Sequence, residues 1–113
     1  MYYYYDMADV RTLSDEELVT IIRKNDKEQY AEIVRRYQDK LRRYATVLVH
    51  DDQRALDIVQ ESFIKAFIHL QGFNTKKKFS SWLYRIVHNE AINAVKKTRK
   101  EVSFDNTDET PLS

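Results

Sequence analysis

The sequence predicts an all-α protein, a compact bundle of about four helices with short connections. Three observations carry that prediction. Apolar residues recur at steps of three and four in four separate segments, the spacing of helices with one buried face. Helix-start residues stand ahead of those segments. The chain holds one glycine and one proline, too few for a sheet with tight hairpins.

The first helix begins at Ser14, which with Glu17 makes a capping box, and Leu13 and Leu18 stand at the positions of a hydrophobic staple around it. Leu18, Ile21 and Ile22 form its apolar face, and Asn25 and Asp26 break it. The second helix starts near Asp26, with Gln29 at the reciprocal capping position. Its stripe is Tyr30, Ile33, Val34, Tyr37, Leu41, Tyr44, Ala45 and Leu48. Arg35, Arg36, Lys40, Arg42 and Arg43 lie mostly off that stripe and read as a solvated face. His50, Asp51 and Asp52 form a polar turn, with Asp52 the expected cap of the next helix.

The third helix is expected over residues 53–71, ending at Gly72 as a left-handed cap. Ala55, Val59, Ser62, Phe63, Ala66 and Leu70 face the core, flanked by Leu56 and Phe67. Asp57, Gln60, Glu61, Ile64, Lys65 and Ile68 lie opposite, so two isoleucines stand one turn apart among charges. A mixed acidic and apolar strip of this kind suits a partner helix. A loop follows over residues 73–79, exposed by its length and three lysines. Ser80 or Ser81 caps the fourth helix, which reaches about residue 97 or slightly further. Leu83, Val87, Ala91 and Ala94 face the core with Ile86 alongside, while Arg85, His88, Asn89, Ile92, Lys96, Arg99 and Lys100 fall on the other side. Residues 1–12, with the run from Tyr2 to Tyr5, are expected to be a disordered or extraneous leader. Residues 13–100 make the domain, and residues 101–113 an acidic linker.

Charge is unevenly placed. Residues 73–100 carry Lys76, Lys77, Lys78, Arg85, Lys96, Lys97, Arg99 and Lys100 against Glu90 alone, a net +7 in a chain whose formal charge is +1. Phe73, Phe79, Trp82 and Tyr84 stand among these cations. Clustered cations attract phosphates, and aromatic faces can stack on unpaired bases, so nucleic acid is the first partner to consider. The absence of cysteine excludes disulfides, thiolate metal sites and a catalytic thiol, and is compatible with a cytoplasmic protein. One glycine rules out a phosphate cradle or a Rossmann turn. No apolar run reaches membrane-spanning length, so no membrane insertion is expected. His50, His69 and His88 share no metal-ligand spacing, and His88-Asn89-Glu90 lacks the cysteine half of a deaminase signature. Neither a cofactor nor a catalytic centre is expected.

Two motifs in order make the chain resemble a known family. Asp57, Gln60, Glu61 and Phe63 stand on one helix; a short loop follows, then Phe79-Ser80-Ser81-Trp82-Leu83-Tyr84-Arg85-Ile86 with Asn89 three residues on. This is similar to region 2 of bacterial RNA polymerase sigma factors of the extracytoplasmic-function type (group IV), over about residues 14–106, including Val102-Ser103-Phe104-Asp105 at the start of the family's linker. The resemblance implies no enzyme, a monomer when free, and two principal partners. The strip Asp57, Gln60, Glu61, Ile64, Lys65 and Ile68 would dock on the β′ clamp helices of the polymerase core. The loop Phe73, Asn74, Thr75, Lys76, Lys77, Lys78 and Phe79, with Ser80, Arg85, His88 and Asn89, would capture and read bases of the non-template strand of the promoter −10 element as it melts. Lys96, Lys97 and Lys100 would hold its backbone. An anti-sigma factor would be a further partner.

Among these, Asn74, Thr75 and Asn89 suit base reading, because amides and hydroxyls both donate and accept. Trp82 is read as packing; Tyr84 and Phe79 divide evenly between packing and stacking. Departures from the family bear on promoter choice. Asn93 stands where an aspartate is common, Lys96 and Lys97 where two arginines are usual, and Lys76-Lys77-Lys78 where many relatives have an acidic or small residue. Lysine keeps the charge and loses the bidentate fork. The helix-turn-helix region 4 of the family is not within these residues, so the chain is expected to be a fragment or a truncated protein. The alternative is a helical interaction module, binding an anti-sigma factor or acting as an adaptor, without sequence-specific DNA reading.

Overall fold

The computed structural model describes residues 7–109, with side chains over residues 10–101. The described residues form an all-α bundle: α1 (Met7–Thr12), α2 (Asp15–Lys24), a 3₁₀ turn (Lys27–Gln29), α3 (Tyr30–Val49), α4 (Asp52–Ile68), a second 3₁₀ turn (Leu70–Gly72) and α5 (Phe79–Glu109). Residues 7–12 are thus helical, not a loose leader, and Val10 is fully buried. The helix α5 runs past residue 100 to Glu109, into the stretch expected as linker. Residues 1–6 and 110–113 lie outside the described residues, as do the side chains of the Val102-Ser103-Phe104-Asp105 string.

Local chemistry sets the helix ends. The Ser14 amide donates to Glu17 at 2.8 Å and the Glu17 amide donates to the Ser14 hydroxyl at 3.1 Å, the reciprocal capping box. Asp51, one residue earlier than expected, caps α4 by accepting from the Arg54 amide at 3.0 Å. Among the described residues the left-handed one is His50 (φ 57°), which reverses the chain between α3 and α4; Gly72 has no positive φ. The helix α4 ends at Ile68, and the 3₁₀ turn containing Gly72 tightens the chain before the loop.

The core gathers one face from each helix. Leu18, Val19 and Ile22 of α2 meet Ile33, Tyr37, Leu41, Ala45 and Val49 of α3. Ala55, Ile58, Val59, Phe63 and Ala66 of α4 and Phe79, Leu83, Val87 and Ala91 of α5 join them, with Val10 of α1, Leu70 and Phe73. The long helices α3, α4 and α5 pack against one another in all three pairs. Cross-links tie α4 to α5: Arg54 donates to the Thr98 hydroxyl at 2.6 Å and the Ala94 carbonyl at 3.2 Å, and Lys65 pairs with Glu90 at 2.7 Å.

A polar network anchors α1 and α2 to α3. Glu32 is buried, and its carboxylate accepts from Arg35 at 2.7 Å and Arg36 at 2.8 Å. Arg36 is not on a solvated face: its guanidinium also donates to Asp15 at 2.9 Å and to the Val10 carbonyl at 3.0 Å. Asp15 in turn accepts from the Tyr37 hydroxyl. The Arg35 hydrogen bond foremost, with Arg36 adding to it, holds the Glu32 carboxyl at about 2 instead of 4.5, against the upward pull of burial. A carboxyl depressed on folding contributes stability that is complete above its unfolded value and is lost as pH falls through its folded value. The acid limb of the stability profile is therefore expected between pH 4.5 and about 2. Glu32→Gln should flatten that limb and, at pH 7, cost about 3 kcal/mol in chemical denaturation, since it leaves Arg36 half-buried with a weaker partner. An unchanged acid limb in the variant would remove Glu32 from this role.

Candidate nucleic-acid interface

The basic loop between the second 3₁₀ turn and α5 is built from apolar ends and a polar middle. Phe73 (5% exposed) and Phe79 (0%) are both in the core, with ring centroids 5.4 Å apart and planes near perpendicular. Both rings are therefore held in the core, which decides Phe79, divided evenly by the sequence, in favour of packing and removes Phe73 as a free stacking face; burial of two aromatic faces outweighs their placement beside lysines. Between them Asn74, Lys76, Lys77 and Lys78 are exposed and Thr75 is half-exposed. The loop has its own order. The Lys76 amide donates to the Asn74 side-chain oxygen at 3.0 Å and the Lys77 amide to the Asn74 carbonyl at 2.9 Å, an Asx-type turn. That use leaves the Asn74 amide NH₂ as the group available to a ligand.

A cavity of about 470 Å³ opens beside this loop, lined by Gly72, Phe73, Asn74, Lys77, Lys78, Ser81, Trp82 and Arg85. Its size lies within the roughly 300–1,000 Å³ of small-molecule sites. Trp82 is half-buried, leaning on Phe73 at 5.1 Å and on Phe79 at 5.6 Å, so it both packs and forms part of the wall. Of the expected loop residues, Phe73, Asn74, Lys77 and Lys78 border this cavity together with Arg85; Thr75, Lys76, Phe79 and Ser80 do not. Ser80 is half-buried near the Tyr37 hydroxyl. Ser81, Trp82 and Gly72 were absent from the expected set. Ser81 had a signal, since it stands one turn before Arg85 on the same helix face.

The surface continues along α5. Arg85, Asn89, Lys96 and Lys100 are exposed at helical spacing, so cations extend roughly 20 Å from the cavity along one side. Lys97 and Arg99 are exposed as well. His88 is half-buried and its Nδ1 bonds the Tyr44 hydroxyl at 2.9 Å, and the Tyr84 ring packs edge-on against Tyr44. Those contacts make His88 and Tyr84 part of the α3–α5 seam.

A second surface lies on α4. Asp57, Gln60 and Glu61 are exposed, and Ile64 and Ile68 are 55% and 64% exposed. Phe67, expected at the core edge, joins them at the surface. Tyr30, Ala31, Phe63, Ile64, Phe67, Ile68 and Lys27 line a groove of about 400 Å³. Lys65 reaches toward α5, where Glu90 engages it at 2.7 Å; that hydrogen bond foremost, with the nearby Glu61 charge adding to it, raises the lysine pKa. Among the described residues no cluster of side chains is arranged to hold a metal ion, and no helix is long and apolar enough to cross a membrane.

Comparison with known proteins agrees with this geometry. Residues 33–101 match the family model for sigma-70 region 2. The chain is 34% identical over 84 residues to the ECF RNA polymerase sigma factor SigW of Bacillus subtilis, covering 74% of this chain and 45% of that one. It is 40% identical over 79 residues to the RNA polymerase sigma-H factor of Pseudomonas aeruginosa, covering 70% and 41%. The chain thus spans less than half the length of these curated relatives. Among solved structures, an engineered region 2 of sigmaE, determined by NMR in complex with GTAAAA, superposes with a TM-score of 0.73 at 37% identity, covering 79% of this chain and 93% of that one.

The division of the loop into buried ends and exposed middle has a measurable consequence. Phe79→Ala should cost about 3–5 kcal/mol in urea denaturation, whereas Lys77→Ala should stay within about 0.5 kcal/mol of the parent. Comparable losses from the two would contradict that division.

Proposed function

The chain belongs to the sigma-70 region 2 family, and on that premise we propose that it is the promoter-binding part of an extracytoplasmic-function sigma factor, which directs RNA polymerase to its start sites. One observation carries the reading: a cation-edged cavity and an acidic, isoleucine-bearing strip occupy separate surfaces of one bundle. Two surfaces of opposite chemistry suit two simultaneous partners, single-stranded promoter DNA and polymerase core.

In this reading the cavity beside Asn74, Ser81 and Arg85 receives a base of the −10 element from the non-template strand. A base inside a duplex cannot enter a pocket, so capture requires unstacking at a cost of a few kcal/mol. Phosphate contacts by Lys96, Lys97 and Lys100 along α5 offset that cost without choosing sequence. Choice falls to the NH₂ of Asn74, which donates, and to the Ser81 hydroxyl and the Asn89 amide, which both donate and accept. Capture of an unpaired base also favours the melted state by mass action, so recognition and opening become one event.

The strip Asp57, Gln60, Glu61, Ile64 and Ile68 docks on the clamp helices of β′. Exposed isoleucines in a ring of polar groups have the anatomy of an interface centre and rim. A purely protein-binding module, including one held by an anti-sigma factor, would use the same groove but would leave the cavity idle.

Ile64→Asp should abolish binding to polymerase core while helicity is retained, as read by circular dichroism and by co-migration with core. Core affinity equal to the parent's would refute the docking surface. Lys96→Ala and Lys97→Ala should each weaken single-stranded DNA binding on all sequences alike, with the salt dependence falling by roughly one unit per lysine. An effect confined to one base position would make these lysines readers.

A further inference from the structure

The ends of the basic loop are held from outside by two residues of α2. At the entrance, Arg23 donates to the Phe73 carbonyl at 2.5 Å and to the Leu70 and Gln71 carbonyls at 3.4 Å, while the Gln71 amide group returns a bond to the Arg23 carbonyl at 3.3 Å. These carbonyls end a 3₁₀ turn, where a guanidinium is the natural partner. At the exit, the Phe79 amide donates to the Glu16 carboxylate at 2.8 Å. Phe79 is the first residue of α5, and Lys78 before it has no side-chain acceptor with which to cap the helix. Glu16 supplies that cap from another helix.

The spacing gives this arrangement its meaning. Glu16 and Arg23 are seven residues apart on one helix, two turns, so they sit on one face about 10 Å apart. The six steps from Phe73 to Phe79 could stretch to roughly 20 Å. The face of α2 is thus a ruler shorter than the loop it spans, and the excess chain must arch outward. The Asx-type turn at Asn74 takes up that excess. Phe73 lines the cavity at one anchor, and Lys77 and Lys78 line it just before the other. Any change in the distance between anchors is therefore a change in the cavity mouth.

We infer that α2 sets the shape of this mouth, with Arg23 and Glu16 as positioning residues that decide which nucleobase it accepts without touching the DNA. The inference rests on the promoter reading above. A captured base is selected by groups held to within a fraction of an ångström, so loosening an anchor lowers selectivity before it lowers general affinity. Lys96, Lys97 and Lys100 lie more than four turns of α5 beyond the Glu16 anchor, so their contribution to phosphate binding should stay constant.

The test uses this chain at low salt with a randomised pool of single-stranded DNA hexamers, sequenced after recovery, alongside binding to oligo(dT) across a salt series. The parent should enrich one base strongly at one or more positions. Glu16→Ala and Arg23→Ala should reduce that enrichment by about tenfold with the oligo(dT) salt slope unchanged. Glu16→Gln keeps an acceptor and should restore it. Hydrogen exchange at the Phe79 amide provides a second measurement: protection lost in Glu16→Ala and kept in Glu16→Gln. Undiminished enrichment in both alanine variants overturns the inference, as does a loss that Glu16→Gln fails to restore. A parent that enriches no base overturns the promoter reading instead; Phe79 protection unchanged in Glu16→Ala would refute the α2 anchor on its own.

Discussion

The meeting of Phe73 and Phe79 inside the bundle is the constraint on which the functional surface depends. The two feet of one loop touch each other edge-on at 5.4 Å, and both are buried. Everything between them is polar and has nowhere to go but outward, because an unpaired ammonium in the core would cost far more than it could return. The aromatic feet thereby turn a local run of lysines into a projecting arch. Trp82 leans on both feet and forms part of the wall of the adjoining cavity. A wall held by ring packing keeps its shape without a ligand, which suits a site whose work is to select.

The same economy is visible in three consecutive acids at the start of α2. Glu17 closes the capping box on Ser14, Asp15 accepts from Arg36 and Tyr37 of α3, and Glu16 caps α5. Adjacent residues on a helix point about 100° apart, so one short acidic run can serve its own helix and two neighbours. This position makes α2 the strut between the core helix α3 and the loop before α5. It also gives α1 a purpose: Val10 is buried, and its carbonyl accepts from the same Arg36 guanidinium.

What could be read from the sequence follows from how far each interaction reaches along the chain. The Ser14–Glu17 box spans three residues and the α4 and α5 stripes repeat every turn, so both are written in local spacing. The exposure of Ile64 and Ile68 was legible for the same reason, being an interruption of a polar face. The link from Glu16 to Phe79 joins residues sixty-three positions apart, and nothing near either one announces it. Arg36 looked solvated because periodicity registers apolar side chains and has no means of weighing a buried ion pair. Phe79 was ambiguous because an aromatic among cations has two stable fates, and only the third dimension chooses between them. Gly72 misled for a simpler reason. Glycine is permitted a left-handed backbone but not obliged to take it, and α4 ends in a 3₁₀ turn without one; the left-handed cap is at His50, on the end of α3.

Charge is segregated between α4 and α5 by exchange. The helix α4 carries Arg54 and Lys65 among its acids, and residues 73–100 carry Glu90 among their cations. Lys65 pairs with Glu90 at 2.7 Å, and Arg54 turns to Thr98 and Ala94. Each minority charge is thus directed into the seam between the two helices. What remains outward on α4 is Asp52, Asp57 and Glu61, and what remains outward on α5 up to residue 100 is Arg85, Lys96, Lys97, Arg99 and Lys100; the acids begin again at the exposed Glu101. Exposed pairs of this kind add little stability. Their larger effect is on the field: an unpaired Glu90 would weaken the attraction of α5 for phosphate, and an outward Lys65 would blur the acidic strip. Over residues 52–68 of α4 and 79–100 of α5, two stretches of mixed composition thus present outward faces dominated by opposite signs, because the exceptions pair or turn inward between them.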